Sequence, residues 1–99
     1  MAELTLKLDA PAVDQLLRRA FPDASAQAFP RVLEVAPGRA RLVRPYGPGL
    51  LRPGGVVYGP TLMSLADTAA YALVLAHRGE ELMAVTSSLL MYFLRGAAP

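Results

Sequence analysis

Tyr58-Gly59-Pro60-Thr61-Leu62-Met63-Ser64-Leu65-Ala66-Asp67-Thr68-Ala69, running on to Gly79, is the stretch whose reading decides the fold. Proline fits the first helical turn, because the N–H it lacks would have no intrahelical partner there. Glycine fits the residue just past a helix, where the backbone often turns left-handed. Pro60 and Gly79 therefore predict one helix from Pro60 to about Arg78. His77 and Arg78 read as cations at its C-terminal end, where the helix dipole favours positive charge. Leu62, Leu65, Ala66, Ala69, Leu73 and Ala76 form one apolar face, and Met63, Ala70, Ala72 and Val74 make most of the rest apolar. The expectation is a helix buried nearly all round.

On that helix Ser64, Asp67, Thr68 and Tyr71 stand at i, i+3, i+4 and i+7, a single polar stripe. A carboxylate buried there needs a partner, and burial raises its pKa, so Asp67 is a candidate general base or nucleophile. The competing reading, of equal weight on periodicity alone, is that Asp67 only hydrogen-bonds a neighbouring loop. The stretch before the helix, Gly54-Gly55-Val56-Val57-Tyr58-Gly59-Pro60, leads into a helix start, whose free N–H groups suit a developing oxyanion. Gly59 is the natural donor, since Pro60 has no N–H. The plainer reading is a tight turn. A phosphate loop is excluded, because its lysine and Ser/Thr are missing.

On the C-terminal side, Ala84 to Leu94 reads as a long strand, with Val85, Ser87, Leu89, Met91 and Phe93 on one face and Thr86, Ser88, Leu90, Tyr92 and Leu94 on the other. A strand apolar on both faces is sandwiched. On the N-terminal side, Pro45 to Pro60 holds four prolines and five glycines and reads as loop. Arg31–Val35 and Arg39–Arg44 read as two strands about a type II turn at Pro37-Gly38. Pro11 opens an earlier helix that carries Val13, Leu16, Leu17 and Ala20 on one face and Asp14, Gln15, Arg18 and Arg19 on the other, ending at Phe21-Pro22. Leu4, Leu6 and Leu8 alternate with polar residues, as in an extended segment.

The composition agrees with one packed domain. Of the 99 residues 54% are hydrophobic and 18% charged, which excludes a disordered chain. So apolar a chain of this length is expected to bury surface against a partner. The net charge of +2 is too mild to imply nucleic acid. With no cysteine and one histidine, thiol chemistry is excluded and no metal-ligand spacing is visible. The N-terminus lacks a signal-peptide pattern, and the most apolar stretch is too short for a membrane span and carries Asp67. A cytoplasmic protein without metal, cofactor, membrane or nucleic-acid partner is the expectation.

Tyr58 to Ala69 resembles the signature of the phenylacetate-degradation-type acyl-CoA thioesterases, which have His-Gly-Gly, four residues, then Leu-Ala-Asp. Ala84 to Arg95 resembles that family's next strand, and Arg52-Pro53-Gly54-Gly55 with Gly59-Pro60 resembles a branch lacking the histidine. The resemblance implies an α+β hot-dog fold, an antiparallel sheet wrapped around a long central helix. It further implies a homodimer or homotetramer that hydrolyses acyl-CoA. Asp67 falls on the catalytic carboxylate, and Gly59 on the oxyanion-binding N–H contributed across the dimer interface. Tyr58, Arg52, Ser64, Thr68 and Tyr71 are the candidate substrate-binding residues. Three departures bear on efficiency: Tyr58 for histidine with Pro60 for glycine, Arg52 for an amide-bearing residue, and Leu90 and Tyr92 for asparagines. A hot-dog subunit also has two more strands after Leu94, so the chain is expected to lack its last two.

Three rivals are a non-catalytic acyl-CoA-binding or scaffold protein of the same fold, a hydroxyacyl-thioester dehydratase, and a nucleic-acid-binding module. The dehydratase wants a histidine near Asp67, and the last wants more aromatics than Tyr46 among the arginines. Arg31, Arg39, Arg41, Arg44 and Arg52 read mainly as a solvated face, and secondarily as a site for CoA phosphates.

Overall fold

The computed structural model describes residues 5–24, 29–80, 82–83, 89–92 and 95–97. Helix α1 spans Ala10–Ala20. Asp9 caps it by accepting the Ala12 N–H at 2.9 Å, and Pro11 lies in its first turn. Val13, Leu16 and Leu17 are its buried positions, at the i, i+3, i+4 spacing of one helical face. The Phe21 N–H closes the helix on the Leu17 carbonyl at 3.0 Å, and Pro22 forbids continuation.

Strands β1 (Arg31–Ala36) and β2 (Arg39–Val43) pair antiparallel about Pro37-Gly38, with Gly38 at φ 75°, as a type II turn requires. The register slips between Val32 and Glu34, so Leu33 is the extra residue of a bulge and points outward, half exposed. At that point the Val32 N–H donates to Asp14 Oδ1 at 2.9 Å, while Asp14 Oδ2 binds Arg18 Nε at 3.1 Å. One carboxylate of α1 thus satisfies a backbone donor of β1 and fixes the helix against the strand.

The Pro45–Pro60 region is more ordered than a loop. A short 3-10 turn at Pro48–Leu50 leads into β3 (Leu51–Arg52), which pairs antiparallel with β4 (Val56–Val57). The turn between them places Gly54 at φ 103° and Gly55 at φ 76°, a conformation closed to most other residues. This hairpin is missed by a sequence reading because four residues of strand are too few to show a pattern.

Helix α2 spans Gly59–Arg78 and ends where expected, Gly79 taking φ 80° and donating to the Leu75 carbonyl at 2.8 Å. Its burial is not as expected. Only Ala72, Leu75 and Ala76, in its last turns, are fully buried; they meet Val13, Leu16, Leu17 and Val32. Towards the N-terminal end Leu62, Leu65, Ala66 and Ala69 are half-buried, while Met63, Ser64, Asp67 and Ala70 are exposed. Among the described residues, α1 and the β1–β2 hairpin cover the C-terminal half of α2 and leave a face of the other half open. The strand expected over Ala84–Leu94 falls largely outside the described residues, and its described part, 89–92, has no strand pairing. Leu4 also lies outside them; Leu6 and Leu8 pack on the core without forming a strand. The Lys7 and Leu8 N–H groups both donate to the Ala76 carbonyl, at 2.7 and 3.1 Å, satisfying one of the acceptors a helix end leaves open.

The architecture is α+β: two helices and two separate antiparallel strand pairs among the described residues. No described helix is long and apolar enough to cross a membrane. His77 has a different role from the helix-end cation expected of it. Its Nε2 accepts the Gly38 N–H at 3.0 Å, so that nitrogen carries no proton. The proton sits on Nδ1, which donates to the Leu73 carbonyl at 2.9 Å. A neutral imidazole thereby ties the β1–β2 turn to α2.

Two stability outcomes follow. Asp14→Ala strands the Val32 N–H and should cost about 1–3 kcal/mol, with Asp14→Asn recovering part of it. His77→Arg supplies the cation that the sequence reading expects at the helix end but removes the acceptor for Gly38, and should cost about 0.5–1.5 kcal/mol. Thermal melting reads both, at about 4–8 °C per kcal/mol for a domain of this size. An unchanged midpoint in His77→Arg would restore the cation reading.

Candidate functional site

The start of α2 is built by the hairpin before it. Tyr58 is the extended N-cap, at φ −67° and ψ 136°, and its N–H donates to the Leu50 carbonyl at 2.7 Å. Its carbonyl accepts the N–H groups of Thr61 and Leu62 at 3.0 and 3.3 Å. Gly59 is the first helical residue, ahead of the i→i−4 ladder, so no carbonyl inside the helix can take its N–H. Pro60 removes the next donor. The helix start therefore offers one N–H where two glycines would offer two.

Arg52 and Val56 are directly opposed in the β3–β4 pair, so their side chains leave one face of the hairpin, and Tyr58 shares it two residues on. Arg52 is exposed and the Tyr58 ring is 50% exposed. Both candidate substrate contacts thus flank the helix start in the open.

Asp67 lies in the middle of α2 and is exposed in this single chain, not buried as the polar stripe predicted. The stripe itself divides. Ser64 is exposed with Asp67, whereas Thr68 and Tyr71 are half-buried. The Thr68 hydroxyl donates to the Ser64 carbonyl at 3.0 Å, one turn back along the helix. The Tyr71 hydroxyl donates to the Leu82 carbonyl at 2.6 Å, and its ring stands edge-on to Phe21 at 6.2 Å between centroids. Burial pushes the Tyr71 phenol up, which keeps the proton this bond needs. Its hydroxyl is already committed to holding the segment after α2.

Gly59 and Asp67 are eight residues apart on one helix. At a rise of 1.5 Å per residue they stand about 12 Å apart along the axis, turned roughly 80° from one another. A carboxylate and an oxyanion donor acting on one carbonyl must both lie about 3 Å from the reacting group. The two groups of one chain cannot meet at one substrate. On the exposed side Met63, Ala70 and Val74 stand around Asp67 at spacings of four, three and seven, with Ser64 three residues before it, so the carboxylate borders an apolar stripe.

The arginines separate into two environments. Arg39 and Arg41 project from the outer face of β2 and both pair with Glu34; Arg39, then Arg41, holds its carboxyl below the usual range. Arg31 is exposed on the same hairpin. This is the solvated face, its charge offset only in part by Glu34. Arg44 is half-buried, and its Nε is buried without a hydrogen-bond partner among the described residues. Neither Gly59 nor Asp67 lines the groove of about 260 Å³ formed by Gly38, Leu73, Val74, His77 and Arg78, or the smaller one of about 150 Å³ beside Phe21 and Phe29. Among the described residues no group of three His, Cys, Asp or Glu side chains is placed to hold a metal.

Sequence reasoning passed over Asp14 and Gly96. The Asp14 role depends on a bulge that no local pattern announces. Gly96 would be recognisable only from the position of the chain after α2: the Val57 N–H donates to the Ala97 carbonyl at 2.9 Å, bringing that segment against β4.

Neither the curated proteins nor the solved structures give a match to this chain. A family model does: residues 54–99 match the thioesterase superfamily. The matched stretch is a little under half of the chain and contains both Gly59 and Asp67. The hairpin turn, α2 and the residues after it are therefore similar to the thioesterase superfamily, a hot-dog-fold group of thioester hydrolases.

Proposed function

We propose that this chain is a subunit of a hot-dog acyl-CoA thioesterase of the phenylacetate-degradation type, whose site combines Asp67 of one copy with the Gly59 N–H of a second. The observation that carries the reading is the placement of these two groups within a stretch similar to thioester hydrolases: one at a helix start, the other bordering an apolar exposed stripe, too far apart to act within one chain. A second copy covering Met63, Ala70 and Val74 would bury the carboxylate and give it the desolvated setting base chemistry favours. A homodimer is the least assembly that does this, and a homotetramer of two such dimers is compatible with it.

In the site, Asp67 takes a proton from a water as its oxygen attacks the thioester carbonyl carbon. The Gly59 N–H donates to the carbonyl oxygen, on which negative charge develops. Collapse expels the CoA thiolate, which takes up the proton, so water and acyl-CoA become free acid and CoA. Direct attack by Asp67 uses the same two groups and passes through an anhydride that water then opens. Arg52 and Tyr58 flank the donor and meet the thioester side of the substrate, with Ser64 and Thr68 on the adjoining helix face. Tyr71 contributes its ring and its tie to Leu82 in place of a free hydroxyl.

The alternative is a non-catalytic acyl-CoA-binding or scaffold protein with the same assembly. It is favoured by Pro60 in the first turn of α2, which leaves a single donor at the helix start.

Turnover of a panel of acyl-CoAs distinguishes the two. Asp67→Asn preserves shape and should lower hydrolysis by about 10²–10⁴ with melting unchanged. Tyr71→Phe should keep most turnover while melting about 1 kcal/mol lower, because it deletes the bond to Leu82. A folded wild type with no turnover on any acyl-CoA, yet binding them, would establish the alternative.

A further inference from the structure

Gly96 lies against β4 more closely than any other residue type allows. A Cβ at Gly96 would stand 2.9 Å from the Val56 Cγ1, inside the distance real side chains keep, and in ordinary contact with the Val56 Cβ at 3.5 Å. Val56 is β-branched, so it has few rotamers through which to withdraw. One residue on, Ala97 accepts the Val57 N–H at 2.9 Å. On the opposite side of the same segment, Val56 and Val57 pair with Arg52 and Leu51, and the Tyr58 N–H is bound by Leu50. Residues 56–58 are thus held from both sides, by β3 and by the returning chain, and Gly59 follows directly.

We infer that Gly96 is a positioning residue for the Gly59 N–H: its missing side chain lets the chain after α2 close on Val56–Val57, and that closure sets where α2 begins and where its first donor points. The inference rests on the thioesterase reading for the use of that donor. The closure itself is a property of the fold and stands without it. A side chain at position 96 displaces either Val56 or the Ala97 carbonyl. In both cases β4 loses its outer support, and Tyr58 and Gly59 move with it. Because an oxyanion donor acts through sub-ångström placement, the consequence for catalysis lies in the chemical step and not in substrate capture.

The experiment compares the full-length wild type, Gly96→Ala, and Gly96→Ala combined with Val56→Ala, which removes the two Cγ atoms facing the new methyl. Amide exchange at Val57, the Gly59 amide resonance, melting and acyl-CoA kinetics are measured for each. Gly96→Ala should speed Val57 exchange by about tenfold, equivalent to about 1.4 kcal/mol, and shift the Gly59 resonance. It should lower kcat by about tenfold or more with KM within about twofold. The double variant should return exchange, resonance and kcat towards wild type, even where Gly96→Ala alone folds poorly. Wild-type exchange and resonance in Gly96→Ala would overturn the inference, as would a double variant no better than the single. A moved Gly59 resonance with unchanged kcat would overturn the positioning role. A wild type without turnover would remove the thioesterase reading, while exchange and resonance would still decide the closure.

Discussion

Helix α2 is anchored through its C-terminal turns. Ala72 and Ala76 are small enough to let α1 approach closely, and Leu75, Leu17 and Val13 fill the space between the helices without solvent exposure. Burying a leucine or valine of this kind contributes about 1.5–3 kcal/mol each. Polar ties surround the same end: Lys7 and Leu8 on the Ala76 carbonyl, Gly38 on His77, and Gly79 on Leu75. The β1–β2 hairpin is brought to this anchor by Asp14, whose carboxylate takes the Val32 N–H next to the bulge. Every element of the N-terminal half of the chain thus converges on the last three turns of α2.

The other end of α2 is built on a different principle. No large apolar residue there is fully buried among the described residues, and its start is set by backbone pairing across β3, β4 and the segment at Gly96-Ala97. An apolar helix face with a carboxylate at its border is an unusual surface to leave in water. The helical rise supplies the remaining constraint. With about 12 Å between the first N–H and Asp67, the two groups can share a substrate only if a second helix start is brought to Asp67. The single chain therefore accounts for the shape of each half of the proposed site and not for their meeting.

Much of this was legible in the residues, for identifiable reasons. Pro60 and Gly79 bracket α2 because each suits one end of a helix and neither its middle. Pro37-Gly38 announces the β1–β2 turn. Tyr58 to Ala69 carries the likeness to thioesterases, and the matched family stretch spans it. Burial was not legible. The apolar circumference of α2 reads as all-round burial, since periodicity records what a helix can bury and not which neighbours arrive; among the described residues they arrive mainly towards its C-terminal end, and fully bury Ala72, Leu75 and Ala76. His77 was misread because a ring's charge depends on its partners, and the Gly38 N–H is 39 positions away. The β3–β4 hairpin hid among prolines and glycines, and Asp14 looked like one more exposed acid.

The central claim is that one site needs two chains, and subunit mixing tests it most directly. Gly59→Pro deletes the N–H at a helical position where proline is tolerated, and Asp67→Asn deletes the carboxylate; each alone should be nearly inactive on acyl-CoA. A mixed dimer of the two holds one intact site, formed by Asp67 of the first chain and Gly59 of the second. Random reassociation of equal amounts should therefore restore about a quarter of wild-type turnover. Activity of the mixture no greater than the sum of the separate variants, in samples shown to have exchanged subunits, would contradict the account.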